Sequence, residues 1–197
     1  MKGHFKVLHP DNDHELIRQS IQGDLSSFRT LVERHQHYVY SLAFRSVLHR
    51  EDAEDIVQDT FIKVWLNLRF FDFRGKFTTW VYRIVANLCI DRLRSAKRFS
   101  SGATASEAIN PLWVTGQDGM KNAEDKDLAE HIKMLADHLS PKQRMVFILR
   151  DLQDLSIDEV SQVMQISEGS VKTNLYHARN AIRLNLIKAE ERQHEMQ

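Results

Sequence analysis

Apolar side chains recur every three or four positions through most of the chain, a spacing typical of amphipathic helices. Before residue 99 this pattern predicts four helices, at about 13–22, 25–48, 51–68 and 76–96. After residue 122 it predicts four shorter helices, the first marked by Leu128, Ile132, Leu135 and Leu139. In the second helix His35 fills a gap in the apolar stripe. The pattern therefore predicts an all-α protein.

Capping signals locate the later helices. Ser140 followed by Pro141 and Gln143 predicts an N-cap, a proline in the first turn and a capping box. Ser156 and Glu159 predict a second capping box, and Ser167 is the predicted N-cap of the last helix. The helix from Ser156, the turn 165–167 and the helix after it have the spacing of a helix-turn-helix.

The stretch 99–122 breaks the helical pattern and is rich in glycine and serine, which predicts a flexible linker between two small helical domains. We predict an N-terminal domain at 11–98, the linker at 99–122, and a C-terminal domain at 123–190 that contains the helix-turn-helix. The linker holds an apolar island, Pro111 to Val114. It either folds back on a domain or docks on a partner.

Composition narrows the class of protein. The chain has 197 residues, 42% of them hydrophobic, which is enough to bury a core. A single cysteine, Cys89, excludes an intrachain disulfide and any multi-cysteine metal site, and we expect it in the core. No apolar run is long enough to cross a membrane. We expect a cytoplasmic protein without membrane insertion.

The net charge is zero, but it is distributed in blocks. Residues 11–60 carry five basic and ten acidic side chains, whereas residues 61–98 carry nine basic and two acidic ones. Residues 121–160 are again acidic, and residues 161–188 are basic. Because polyanions respond to the local field, the basic blocks are compatible with nucleic-acid binding.

The last helix predicts a DNA-reading face. Its apolar positions lie on one side, and the opposite side carries Thr173, Tyr176, His177 and Asn180, flanked by Lys172 and Arg179. Short polar and basic side chains on an exposed helix suit base edges and phosphates in a major groove. The alternative is a helical hairpin with a solvated face.

The basic fourth helix predicts a second nucleic-acid contact. Its outward stripe contains Lys76, Thr79, Arg83, Asn87 and Arg94, and an aromatic loop at 70–75 precedes it. Cations, aromatic rings and an amide together suit single-stranded DNA. The spacing of Phe77 and Trp80 favours core positions, while Phe70, Phe71 and Phe73 either meet bases or plug the loop.

The third helix carries acidic and amide side chains off its apolar stripe, among them Asp55, Gln58 and Asp59. They border Ile62 and Leu66, which the pattern also places outside. Such a run is either a solvated face or, because apolar residues adjoin it, a protein interface.

Three segments together resemble the sigma factors of bacterial RNA polymerase, most of all the extracytoplasmic-function (ECF) group. Asp52–Trp65 is similar to the segment that grips the polymerase clamp helices. Phe73–Asn87 is similar to the segment that melts and reads the minus-10 element. Ser140–Arg183 resembles the domain that reads the minus-35 element. The resemblance spans about Asp13 to Leu186 without the linker.

The resemblance implies a role for each segment, and implies that the linker threads the RNA-exit path of the polymerase. Core-polymerase binding falls to Asp55, Gln58, Asp59 and Ile62. Contact with the minus-10 DNA falls to Phe73, Arg74, Lys76, Thr79, Trp80, Arg83 and Asn87. Contact with the minus-35 DNA falls to Ser170, Lys172, Thr173, Asn174, Tyr176, His177 and Arg179.

Several residues depart from the pattern of the family. The usual glycine of the turn is Gln165, which we expect to adopt a left-handed conformation that costs about 1 kcal/mol. Ser161 replaces a common alanine. Asn174 and His177 stand where arginine is frequent, which predicts weaker phosphate anchoring and a shifted minus-35 preference.

The function predicted is that of a transcription initiation factor, which brings core RNA polymerase to promoter DNA by reading the minus-10 and minus-35 elements and assisting melting. Its expected partners are core polymerase, promoter DNA and an anti-sigma factor. The alternative is a DNA-binding regulator whose N-terminal domain binds another partner.

An enzyme is not indicated, because we find no phosphate loop, metal-ligand set or nucleophile–base pair. The ten histidines are scattered, so no metal and no cofactor is expected.

Overall fold

The computed structural model describes residues 13–102 and 139–195, and the helices in both parts follow the predicted order. The N-terminal part contains α1 (Asp13–Ile21), α2 (Leu25–Val47), α3 (Arg50–Asn67), a 3₁₀ turn (Leu68–Phe70) and α4 (Phe77–Gly102). The C-terminal part contains α5 (Pro141–Phe147), a π-helical turn (Ile148–Leu152), α6 (Ile157–Met164) and α7 (Glu168–Glu195). The all-α class is confirmed.

Local capping explains where these helices begin. Asp24 accepts a hydrogen bond from the backbone N–H of Ser26 at 2.9 Å, which starts α2. Hydrogen bonds from the hydroxyls of Ser27 and Ser26 are the main causes that lower the pKa of Asp24 to about 2. Ser140 and Ser156 form the two predicted capping boxes. The helix α4 continues to Gly102, past the predicted start of the linker at 99. The helix predicted from Leu128 and the island at 111–114 lie outside the described residues.

The N-terminal domain packs α2, α3 and α4 around aliphatic side chains, among them Leu42, Val64 and Val85, which are fully buried. Two polar side chains are buried with them. His35 Nε2 lies 2.8 Å from Asp13 Oδ2, and the histidine ring meets the edge of Phe77. His35 therefore fills its gap in the apolar stripe from inside the core, and Asp13 on α1 is its partner.

In the C-terminal domain α7 packs against α5 and α6. The four positions predicted to face inward on α7, Val171, Leu175, Ala178 and Ile182, are all buried. Val160 and Val163 of α6 are buried as well. The helix-turn-helix is therefore formed as predicted.

The two domains touch each other, which the sequence did not predict. Helix α4 packs against both α5 and α6, and α2 meets the π-helical turn. Arg45 of α2 donates to the carbonyl oxygen of Leu152 at 2.9 Å. Buried apolar side chains of both domains belong to one continuous cluster. This contact covers part of the predicted minus-10 segment.

Candidate nucleic-acid interface

One face of α3 carries the residues predicted to bind polymerase. Asp55, Gln58 and Asp59 are exposed, while Ile56 and Val64 point into the core. Ile62 is 49% exposed and Leu66 is 63% exposed. We call Asp55, Gln58, Asp59 and Ile62 the α3 surface. It combines negative charge with exposed apolar area, as protein interfaces often do.

Asp52, at the start of the same helix, has a different role. Its carboxylate is almost fully buried and pairs with Arg92 of α4, and His49 lies 3.7 Å away. The pair with Asp52 raises the pKa of Arg92. Asp52 therefore ties α3 to α4 and does not belong to the exposed acidic face.

The aromatic loop before α4 is folded on itself. Phe71 is buried, and its ring centroid lies 5.3 Å from that of Phe73, 5.5 Å from that of Phe77 and 5.6 Å from that of Trp80. Phe70 is 67% exposed. Of the three loop rings, Phe71 plugs the loop, Phe73 is half-buried and Phe70 is open to solvent.

Arg74, the cation of this loop, is paired with a neighbour. Asp72 accepts from the Arg74 backbone N–H at 3.0 Å and from its guanidinium at 2.7 Å. The hydrogen bonds from Arg74 hold the pKa of Asp72 at about 2. The loop therefore presents an exposed but locally neutralised cation.

The outward stripe of α4 is only partly exposed. Asn87 is exposed, whereas Arg83 is half-buried and its Nε has no hydrogen-bond partner within the described residues. Thr79, predicted to point outward, is only 9% exposed. That prediction of exposure is wrong, because Thr79 lines a cleft between α4 and the C-terminal domain, opposite Leu155 and Glu159.

The turn of the helix-turn-helix explains two departures from the family pattern. Gln165 has φ +52° and ψ +46°, the left-handed conformation expected where glycine is usual. The hydroxyl of Ser161 donates to the carbonyl oxygen of Ile166 at 2.6 Å. Ser161 thus closes the turn with a bond that alanine cannot make.

The outward face of α7 is largely open. Lys172, Thr173, Tyr176 and His177 are exposed. Ser170 and Asn174, which belong to the same predicted set, are half-buried, and the Asn174 amide donates to the Ser170 carbonyl at 2.8 Å.

Arg179 forms an ion pair within the C-terminal domain. Its guanidinium forms two hydrogen bonds with Asp151 of the π-helical turn, at 2.9 and 2.7 Å. The pair raises the pKa of Arg179. Arg179 therefore links α7 to the preceding helical unit while leaving 55% of its side chain exposed.

One ion pair joins the two predicted DNA-binding segments. Lys76 Nζ lies 2.8 Å from Glu159 Oε1, and this bond is the largest influence that lowers the pKa of Glu159. The other carboxylate oxygen accepts from the backbone N–H of Ser156 in the capping box. The sequence pattern predicts Glu159 only as part of a capping box. The alternation of basic and acidic blocks was the available signal for a pairing across domains.

Comparison with known proteins decides the family. Residues 31–99 match the family model described as Sigma-70 region 2, and residues 130–182 match that of Sigma-70 region 4. The chain is 32% identical over 179 residues to the ECF RNA polymerase sigma factor SigW of Bacillus subtilis, covering 86% of this chain and 94% of SigW. The chain belongs to the ECF sigma factors. It is a transcription initiation factor, and the alternative regulator is not favoured.

A second relative agrees with this assignment, and two solved structures share the fold. The sigma factor is 34% identical over 176 residues to the ECF RNA polymerase sigma-E factor of Escherichia coli K12, covering 86% of this chain and 92% of the relative. CnrH in complex with the cytosolic domain of CnrY matches with a TM-score of 0.64 and 26% identity, covering 91% of this chain and 99% of CnrH. RpoE of Bartonella quintana, solved with the anti-sigma factor NepR, shares the fold at a TM-score of 0.59 and 23% identity, with 82% and 98% covered.

Other parts of the sigma factor add two observations. Burial raises the pKa of the Cys89 thiol to about 12, and the side chain is fully buried, which confirms its core position. Within residues 13–102 and 139–195, no helix is long and apolar enough to span a bilayer, and no cluster of three or more His, Cys, Asp or Glu could hold a metal ion.

Proposed function

We propose that this sigma factor docks on core RNA polymerase through the α3 surface and reads promoter DNA with α4 and α7. The observation that carries the proposal is the separation of faces on these helices. Each helix buries one apolar side in its own domain and leaves charged, amide or apolar groups free on the other. Asp55 and Asp59 of α3, Asn87 of α4 and Lys172 and His177 of α7 are examples of such exposed groups.

The α3 surface suits a protein partner. Ile62 supplies apolar area next to the carboxylates of Asp55 and Asp59. A basic and partly apolar helix of the polymerase clamp would complement both features. Gln58 adds a hydrogen-bonding group between them.

The minus-10 segment suits a melted strand. Asn87 offers an amide for a base edge, and the cations offer phosphate contacts. Arg74 and Phe73 lie on the loop where a base would leave the stack, and Trp80 supports that loop through Phe71. We propose that Phe73, Arg74, Lys76, Thr79, Trp80, Arg83 and Asn87 form this site.

The face of α7 suits the minus-35 duplex. The first turns of a recognition helix enter the major groove, where Lys172, Thr173 and His177 are exposed. Arg179 lies further along and suits a phosphate contact. The proposed set is Ser170, Lys172, Thr173, Asn174, Tyr176, His177 and Arg179.

The remaining assignments follow from this role. We propose domains at 11–98 and 123–190 with the linker at 99–122, and action in the cytoplasm, where the polymerase works. Recruiting polymerase and trapping a strand require no covalent step by the protein. An anti-sigma factor is the proposed inhibitor, supported by the complex in which the Bartonella relative was solved.

Titration into core RNA polymerase tests the docking surface. We expect the Asp55→Ala/Gln58→Ala variant to bind core polymerase about tenfold or more weakly, because interface residues of this kind often contribute more than 1 kcal/mol. Glu33→Ala/Gln36→Ala is a matched control. It removes an exposed acid and an exposed amide, again three residues apart, from α2.

Two results would contradict the proposal. Equal affinity of both variants and the wild type would remove the α3 surface from the interface. Failure of the folded wild type to bind core polymerase would favour the regulator with another partner.

A further inference from the structure

Helix α1 forms one wall of the aromatic loop at 70–75, although it lies outside residues 31–99, which match the region 2 model. The His14 ring meets the Phe73 ring edge-on at a centroid distance of 5.4 Å, and its centroid lies 6.3 Å from that of Phe71. The Arg18 guanidinium lies over the Phe73 ring, 5.3 Å from the centroid. Because His14 and Arg18 are one helical turn apart, both reach the loop from the same face of α1.

Helix α1 is itself fastened to α2 near both of its ends. At its start, the buried carboxylate of Asp13 pairs with His35 and accepts from Arg34 at 3.0 Å. Near its end, Gln19 accepts from the hydroxyl of Ser27 at 2.6 Å. These bonds are made to α2 and not to the loop. Helix α1 therefore offers the loop a fixed surface.

The tip of the loop is closed by its own turn, but its orientation depends on neighbouring helices. The backbone N–H of Gly75 donates to the carbonyl oxygen of Asp72 at 3.0 Å. This bond shapes the tip, but it cannot orient the tip, because both partners belong to it. The orientation comes from Phe71, whose ring packs against α4, and from Phe73, whose ring packs against α1.

Arg18 has the geometry of a group that orients a ring. A guanidinium is planar and stacks well on an aromatic face. Its positive charge is also balanced in part, since Arg18 Nη1 lies 3.5 Å from Glu15 Oε2 on the same helix. Arg18 is therefore better placed to hold Phe73 than to neutralise a phosphate of the strand.

We propose that His14 and Arg18 are positioning residues for promoter recognition, which hold Phe73 so that the loop presents one shape to an unpaired base of the minus-10 strand. The inference rests on the proposed function of the minus-10 segment. A preorganised loop binds the base that fits without first having to be ordered, and it penalises a base that does not fit. Helix α1 thus contributes to base specificity without contacting DNA.

Base selection by the holoenzyme tests this role. Core polymerase loaded with each variant is mixed with single-stranded DNA that has a randomised centre, and the bound strands are sequenced. We expect His14→Ala and Arg18→Ala to weaken the base preference at one position about two- to fivefold, the range for one aromatic or cation–π contact. Preferences at the other positions should not change. Arg29→Ala is the matched control, because it removes another exposed arginine, from α2.

Two further measurements separate positioning from folding and from charge. His14→Phe keeps a ring edge against Phe73 and should retain the base preference that His14→Ala weakens. The Arg18 side chain is 59% exposed, so its truncation leaves the core intact. The salt slope of strand binding by Arg18→Ala should equal that of the wild type, whereas loss of a phosphate contact would lower the slope by about 0.7.

Three results would overturn the positioning role of α1. They are an unchanged base preference in both alanine variants, an equal weakening at every position of the strand, and a lower salt slope in Arg18→Ala. If Asn87→Ala alters base selection while the α1 variants do not, the proposed function stands and only the role of α1 is lost. A wild-type holoenzyme without any base preference would overturn the function on which the inference rests.

Discussion

The left-handed residue in the helix-turn-helix gives the most direct test of how this turn is stabilised. Gln165 has φ +52°, its side chain is exposed, and a glycine there would relieve the clash of its Cβ. Ser161 acts in the opposite direction, because its hydroxyl holds the Ile166 carbonyl at 2.6 Å. We expect Gln165→Gly to stabilise the protein and Ser161→Ala to destabilise it.

The magnitudes follow from the local geometry. A left-handed conformation costs an L-residue roughly 1–2 kcal/mol, while glycine adds unfolded-state freedom worth about 0.5–1 kcal/mol. The expected net gain for Gln165→Gly is therefore about 0.5–1 kcal/mol. Ser161→Ala loses one hydrogen bond worth about 1 kcal/mol and recovers a few tenths from the better helix propensity of alanine.

Urea unfolding followed by far-ultraviolet circular dichroism measures both effects, provided that the dependence on urea is unchanged. Gln162→Gly is the control, since it places glycine three residues earlier in a right-handed helix, where we expect a loss of about 1 kcal/mol. A Gln165→Gly variant that is destabilised like the control would refute the reasoning. It would mean that the turn in solution is not left-handed at residue 165.

Four further predictions concern other parts of the molecule. Burial raises the pKa of Asp13, but the hydrogen bonds and charges of His35 and Arg34 together outweigh burial and hold the pKa below 3.8. The stability that this carboxylate contributes is therefore present above that pH and lost as the pH falls through the lower folded-state value, and Asp13→Asn should flatten this acid limb in pH-dependent unfolding. Asn87→Ala should reduce discrimination among minus-10 sequences in a promoter-competition assay, and unchanged preference would contradict its role. Lys172→Ala should weaken minus-35 duplex binding and lower the salt slope by about one, and an unaltered slope would exclude a phosphate contact. Cys89 should resist a thiol reagent until the protein unfolds, and rapid labelling of the native protein would contradict its burial.

Much of the fold could be predicted because its signals are local. The capping boxes at Ser140 and Ser156 depend on residues three positions apart, and the structure contains both. The apolar stripe of α7, from Val171 to Ile182, needs only helical periodicity to be recognised. Asp55, Gln58 and Asp59 are exposed for the same reason, since a helix that buries one face must leave the other open.

The errors and omissions arise from contacts between distant parts of the chain. Thr79 has the spacing of an outward position, yet it is buried in the lining of a cleft that Leu155 and Glu159 of the C-terminal domain also line. Arg179 pairs with Asp151, 28 residues away, and Asp52 pairs with Arg92, 40 residues away. No local pattern distinguishes a charged side chain that meets solvent from one that meets a remote partner.

The sequence by itself therefore determined the helices, most of their buried and exposed positions, and the family. The reason is that periodicity, caps and motifs depend only on residues that are close together along the chain. Only the tertiary structure decided that the two domains lie against each other and that Lys76 faces Glu159, 83 residues further along the chain. The physical reason is that an interface between domains depends on the complementarity of two whole surfaces, each formed by residues from several helices. The individual contacts across such an interface cannot be recognised from the spacing of residues along either helix.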